Sequence, residues 1–244
     1  MDFLADTDDT NELALLGGFV FSVQGDVLLG ISAGTQRLLA FLAVKDRAVT
    51  RHQAAGTLWP ESTDEHAGAN LRSAVSRLGG PVRKAMKVTA HDLGLAEGTV
   101  VDVHTSQALA LRLIGHNAPH IESDISSFAV SALSTDLLPG WYDDWAVVAA
   151  EDWHQLRLHA LEAVAARLTA ADRLAEAATA ALAAVRAEPL RETARAALIR
   201  VHMAEGNQSD ALGEFERYRV LLRAELDIAP SARLSQLLAG LEHR

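Results

Sequence analysis

Residues 66–79 read HAGANLRSAVSRLG. Two arginines, an asparagine and two serines are threaded through a run made mostly of Ala, Leu, Val and Gly. At about 100° per residue, Ala67, Leu71, Ala74, Val75 and Leu78 share one stripe of a helix. His66, Ala69, Asn70, Arg72, Ser73, Ser76 and Arg77 share the opposite stripe. The apolar stripe predicts packing onto a domain. The polar stripe carries no acid within the stretch, Glu65 standing one turn before it. A solvated face usually mixes Glu with Lys, because i,i+4 pairs of opposite sign add stability. Arg, Asn and Ser are instead the side chains that bond guanine, adenine and phosphate. Two readings therefore stand side by side, a wetted face and a face that reads nucleic acid.

Working outward, Thr50 is an N-cap for a helix running through Leu58, with Pro60 just past its end. Thr63 or Asp64 starts the helix of the quoted stretch, and Gly79-Gly80-Pro81 stops it. Before these, TQRLLAFLAVKDR (35–47) reads as an amphipathic helix on Leu38, Leu39, Leu42 and Ala43. LALLGGFVFSV (13–23) and VLLGI (27–31) read as strands about a turn at Gln24-Gly25-Asp26. MKVTAHDLGLAEGTVVDV (86–103) holds three short β-prone pieces punctuated by Gly94 and Gly98. Strands, three helices and then a hairpin are the order of a winged helix-turn-helix, in which the third helix is the reader.

The chain has 244 residues, 49% hydrophobic and 22% charged, which suits a globular protein of two domains. It has no cysteine, so disulfides, thiol catalysis and thiolate metal sites are excluded. No apolar run approaches the roughly 18 residues of a membrane span. The acidic start, MDFLADTDDTNE, does not have the basic region of a signal peptide. The expectation is a cytoplasmic protein without a membrane partner. Net charge is −10, yet residues 34–87 hold nine Lys/Arg against four acids, whereas residues 1–33 hold six acids and no base. A locally positive segment can meet phosphates inside an acidic protein.

From about residue 122 the chain reads as helical and Ala-rich, broken by a loop at Leu138-Pro139-Gly140. Ala175-Glu176-Ala177 recurs as Ser209-Asp210-Ala211, 34 residues on. A helix and a short turn precede each, and the helices that follow end near Glu188-Pro189 and Ala229-Pro230. A 34-residue helical period is that of tetratricopeptide repeats. The expected fold is mainly α with a small β component. Residues 1–12 are a flexible acidic N-terminus, 13–103 a winged helix-turn-helix (α+β) domain, and 104–244 an all-α tetratricopeptide-like repeat domain.

Catalytic chemistry finds no footing. Asp143 and Asp144 are adjacent and would point about 100° apart on a helix, poorly placed to flank one bond. Trp141 and Trp145, at i and i+4, read as anchors of an early helix of the second domain. His116 and His120 are separated by Pro119, and His154 and His159 are five apart, so neither pair has metal-ligand spacing. Phosphate-loop, dinucleotide and serine-hydrolase motifs are absent. We expect no enzyme, no catalytic residue, no cofactor and no metal. Glu216, Arg217, Arg219, Arg223 and Glu225 read as a solvated mixed face.

LWPES (58–62), NLRSAVSRL (70–78), LLPGWYDDW (137–145), AEPLRETARAALIRVHMAEGNQSDAL (187–212) and ELDIAPSARL (225–234), in this order and spacing, resemble the Streptomyces antibiotic regulatory protein family. The resemblance implies an OmpR-like winged helix followed by a bacterial transcriptional activator domain, without the ATPase domain of longer relatives. It implies a transcriptional activator that binds direct repeats in double-stranded DNA near promoters, contacts RNA polymerase and regulates clustered genes, often for secondary metabolism. A homodimer is among the expected partners. It puts Asn70, Arg72, Ser73, Ser76 and Arg77 on the recognition helix, and Arg83, Lys84 and Lys87 at phosphate positions between that helix and the wing. Thr50, Arg51 and Gln53 open the preceding helix, where backbone amides and Arg51 could meet phosphate. Two features depart from the family: Gly79-Gly80-Pro81 interrupts the usually longer basic recognition helix, and the wing tip reads Ala90-His91-Asp92. Both remove phosphate contacts, so weaker or dimer-dependent DNA affinity is expected. The alternative is a protein-interaction module with a degenerate DNA-binding domain, acting through its tetratricopeptide-like helices.

Overall fold

In a computed structural model, residues 11–115 and 122–239 are described. They fall into two compact units, one within Met1–Thr105 and Asp136–Asp152, the other within Ser106–Thr135 and Trp153–Arg244. The fold is mainly α with a small β component, an N-terminal β/α region followed by a helical repeat-like region.

The first unit opens on β1 (Asn11–Ala14), β2 (Val20–Val23) and β3 (Asp26–Val27). Asn11 is buried and pairs with Val23, so the sheet begins inside the segment read as a flexible N-terminus. Residues 1–10 of that segment lie outside the described residues. Gln24 and Gly25 both have positive φ, which matches the twist of a two-residue hairpin and puts Asp26 in β3. The expected single strand over 13–23 is broken at Gly17 and Gly18, both at positive φ. There the chain turns so that Leu16 bridges Leu137 and the Leu138 amide donates to the Leu15 carbonyl. The expected strand over 27–31 is short as well: Leu29 is 85% exposed.

α1 (Ala33–Lys45) is capped by the Ser32 hydroxyl. Leu38 to Ala43 are all buried, so this helix is enclosed on every side there and is not the amphipathic one its spacing suggested. β4 (Val49–Thr50), α2 (Arg51–Leu58), α3 (Asp64–Ser76), α4 (Gly80–Lys84), β5 (Met86–Val88) and β6 (Asp92–Leu95) follow. β5 and β6 form the hairpin, with β4 on its free side, in the order β4-β6-β5. The third β-prone piece joins the other sheet: β7 (Val100–Val101) lies parallel to β1, in the order β3-β2-β1-β7. Helices α1 to α3 with this hairpin have the element order of a winged helix-turn-helix.

Residues 136–152, assigned by composition to the helical domain, pack in the first unit. The tryptophans explain this. Trp141 stacks on Phe19 at 6.4 Å, and Trp145 meets Phe41 edge-on at 5.5 Å. Trp141 also precedes the helix it was expected to anchor, since α7 begins at Asp144. Arg37 donates to Asp143 in the same cluster, which gives that carboxylate a structural partner.

The second unit holds most of α5 (Asp102–Ile114), a 3-10 turn at Glu122–Ile125, α6 (Ser127–Leu133) and most of α7 (Asp144–Ala170). It continues through α8 (Leu174–Ala187), α9 (Glu192–Ala204), α10 (Gln208–Leu226) and α11 (Ala232–Leu238). Helices α8 and α10 start at residues 174 and 208, which reproduces the 34-residue period. Ala177 and Ala211, at matching positions, are both fully buried. With only a methyl group at these positions, neighbouring backbones come close enough for α9 to pack against both α8 and α10.

Candidate nucleic-acid interface

Helix α3 is set by its start. The Thr63 hydroxyl accepts from the His66 amide, and Asp64 and Glu65 occupy the first turn, where carboxylates complement the helix dipole. Ala67 and Leu71 are buried and hold the helix against its unit. Ala74, Val75 and Leu78 are half-buried, so the predicted apolar stripe is fully enclosed only over its first turns. Asn70, Arg72, Ser76 and Arg77 are exposed, as are His66 and Ala69, while Ser73 is half-buried.

The exposed stripe has an electrical direction. Its beginning carries Asp64 and Glu65, and its cations, Arg72 and Arg77, lie in and just past its second half. Arg72 folds back along the helix: its Nη1 lies 3.4 Å from where a Cβ on Gly68 would stand. Arg77 is the C-cap, just past the last helical residue. The Ser76 hydroxyl donates to the Ser73 carbonyl at 3.0 Å, so its proton is committed within the helix and its oxygen is left as an acceptor.

α3 ends at Ser76, ahead of Gly79-Gly80-Pro81, and the tripeptide expected to stop it instead starts another helix. Gly79 is the N-cap of α4, with Pro81 in the first turn and Arg83 and Lys84 in the last. Proline just inside a helix start and cations at its end are both favourable, and that pairing was the signal available for this helix. Arg83 and Lys84 are exposed, and Arg83 Nη1 donates to the Met86 carbonyl at 3.3 Å. Lys87, expected between helix and wing, lies in β5 opposite Gly94 and is exposed.

Thr50 caps α2 by accepting from the Gln53 amide at 3.1 Å. The Arg51 amide donates to the His91 carbonyl at 2.8 Å, and Arg51 Nη1 donates to the Thr89 carbonyl at 3.0 Å. Two amides of the first turn, those of Arg51 and Gln53, are thus already engaged. The hairpin tip, Thr89-Ala90-His91, is closed by Thr89, whose hydroxyl oxygen accepts from the Asp92 amide at 2.8 Å. It holds no Lys or Arg. The structure thus brings Thr50 and Arg51 to the hairpin tip and places Arg83, Lys84 and Lys87 on α4 and β5. Asn70, Arg72, Ser73, Ser76 and Arg77 lie along α3 and at its C-terminal cap.

The histidines considered as metal ligands have other partners. His154 Nδ1 is 3.2 Å from Arg157 and His159 is 3.0 Å from Arg191, while His116 and His120 lie outside the described residues. No described helix is long and apolar enough to cross a membrane.

A family model described as the bacterial transcriptional activator domain matches residues 101–241. The chain belongs to that family. Membership puts it among bacterial transcription regulators, a regulatory rather than an enzymatic family. No curated protein sequence matches the chain. Its fold is similar to that of Mycobacterium tuberculosis EmbR in complex with low affinity phosphopeptide, at 22% identity and a TM-score of 0.63. The alignment covers 93% of this chain and 64% of the EmbR chain, so the chain spans about 64% of that relative's length. At this identity the likeness is one of fold. The candidate residues between Thr50 and Lys87 all precede the segment matched by the activator-domain model.

Proposed function

We propose that this activator-domain protein is a sequence-specific DNA-binding transcriptional activator of the Streptomyces antibiotic regulatory protein type. In this reading residues 13–103 carry its DNA-binding domain and residues 104–244 its activator domain, except that residues 136–152 belong to the first compact unit. The observation that carries this reading is the exposed face of α3, where Asn70, Arg72 and Arg77 stand clear of the core in the reader position of a winged helix. In this proposal Asn70, Arg72, Ser73, Ser76 and Arg77 meet base edges and nearby phosphates. Arg83, Lys84 and Lys87, with Thr50 and Arg51, position the phosphate backbone. The protein works in the cytoplasm as a homodimer on direct repeats near promoters, contacts RNA polymerase and regulates genes of secondary metabolism.

The test is a gel shift with the DNA upstream of the protein's own gene at several salt concentrations. Specific binding that falls steeply with salt supports the reading. Full retention of binding by the Arg72→Ala/Arg77→Ala double variant removes α3 from the interface.

One observation favours the second reading, a protein-interaction module without DNA binding. The tie between Arg51 and the hairpin tip, together with that tip's lack of Lys and Arg, reduces the phosphate contacts on offer. Absence of any shift at low salt selects that reading.

A further inference from the structure

Within the second unit a cavity of about 360 Å³ lies among α7, α9 and α11. Its apolar lining is Ala166, Ala196, Ala197, Leu234 and Leu237. Ala196 and Leu234 belong to the buried cluster that also holds Ile199 and Tyr218, so the cavity floor is continuous with the core. Arg200 and Arg233 line it as well. Both are exposed, and neither makes a hydrogen bond or ion pair among the described residues.

The carboxylates at this cavity are in the opposite condition. Glu162 accepts from Arg191 Nε and from the Thr193 hydroxyl, each at 2.6 Å. Glu192 accepts from the Ser231 amide at 2.9 Å and from the Ser231 hydroxyl. Glu162 is neutralised by Arg191 and Glu192 is hydrogen-bonded by Ser231, whereas Arg200 and Arg233 have no protein partner among the described residues, so the groups left to meet a ligand at this cavity are cations. Guanidinium groups bond carboxylates with paired, charge-assisted hydrogen bonds. The volume is at the lower end of that of small-molecule sites and has room for on the order of ten non-hydrogen atoms, at about 30 Å³ for each water-sized group.

We infer that this cavity is a binding site for a small apolar carboxylic acid, its carboxylate held by Arg200 and Arg233 and its hydrocarbon body lying on the alanine and leucine floor. The site gives the activator domain a ligand of its own, separate from the DNA-reading face. The inference does not depend on DNA binding, and its test uses no DNA.

Octanoate, octan-1-ol and butyrate are titrated separately into the 244-residue chain by isothermal calorimetry. Octanoate is expected to bind with a dissociation constant on the order of 0.1 mM. The alcohol, which has no charge, and butyrate, which has a short body, bind at least about tenfold more weakly. Combining Arg200→Gln with Arg233→Gln weakens octanoate by about tenfold or more and leaves the circular dichroism spectrum unchanged, because both side chains are exposed and neither bonds to another described residue. The inference is overturned by absence of octanoate binding at about 5 mM. It is overturned equally by octanol or butyrate binding as tightly as octanoate, or by an unchanged affinity in the double variant.

Discussion

Arg51, the first residue of α2, donates from its guanidinium to the carbonyl of Thr89 at the hairpin tip, 3.0 Å away and near the surface. One side chain thereby links the start of the second helix to the turn of the hairpin. Such a bond contributes about 1 kcal/mol or less, so Arg51→Ala should leave the urea midpoint nearly unchanged while speeding amide exchange at the tip. In DNA titrations the same variant should bind all sequences more weakly, with a salt slope smaller by about one. An unchanged slope would mean that Arg51 stays with the hairpin when DNA binds.

Arg77 caps α3 and is exposed. As a base contact, its replacement by alanine should cost about 1–3 kcal/mol on the specific site and much less on unrelated DNA. Fluorescence anisotropy with both duplexes measures the difference. Equal losses on both would make Arg77 a phosphate contact.

Gly68 lies in the interior of α3 with only the Arg72 guanidinium near its missing side chain. Gly68→Ala should stabilise the protein by about 0.5–1 kcal/mol, since alanine surrenders less backbone freedom on folding. The 3.4 Å approach leaves Arg72 room to stay in place. Thermal unfolding and DNA affinity, measured together, separate the two effects.

Glu214 is 4% exposed and accepts from Arg195, itself buried, and from Arg217. Glu214→Ala strands the Arg195 charge in the interior and should destabilise the protein by about 3–5 kcal/mol. Arg219→Ala, which breaks an exposed pair with Glu216, should cost less than about 1 kcal/mol. Urea denaturation that ranks the two alike would contradict the assigned burial.

Asp102 accepts from the amides of Leu15, Leu16 and Val103, yet burial outweighs these bonds and raises its carboxyl above the ordinary value of 3.8. The folded state therefore holds this proton more tightly than the unfolded chain does. The resulting stability is fully present below about pH 3.8 and is lost as pH rises through the folded-state value. An NMR titration of the Asp102 carboxyl should have its midpoint above 3.8. A midpoint at or below that value would mean that the three amides win.

Local chemistry was legible in the sequence where one residue decides the matter. Thr50 caps its helix as read, and Thr63, one of the two residues read as a start, caps the next, since a hydroxyl at that position satisfies an amide that has no other partner. The 34-residue period survives as the spacing of α8 and α10, because the small residues that allow close helix packing must recur with it. The polar stripe of α3 was also legible, being a matter of angle about one helix axis.

Tertiary structure alone decided the rest. Val100 and Val101 could have extended the hairpin, but pairing with β1, nearly 90 residues away in the chain, draws them into the other sheet. Nothing local tells a strand which edge it will meet. Trp141 and Trp145 read by their spacing as anchors of a helix of the second domain, and it is Phe19 and Phe41 of the first unit that claim them. The commitment of the Arg51 amide and guanidinium to His91 and Thr89 was likewise hidden, because hydrogen bonds across some 40 residues leave no periodicity in the chain. Sequence determines what each segment can form on its own. Which partner buries it, and which polar groups remain free for a ligand, is settled only when distant segments compete for the same surface.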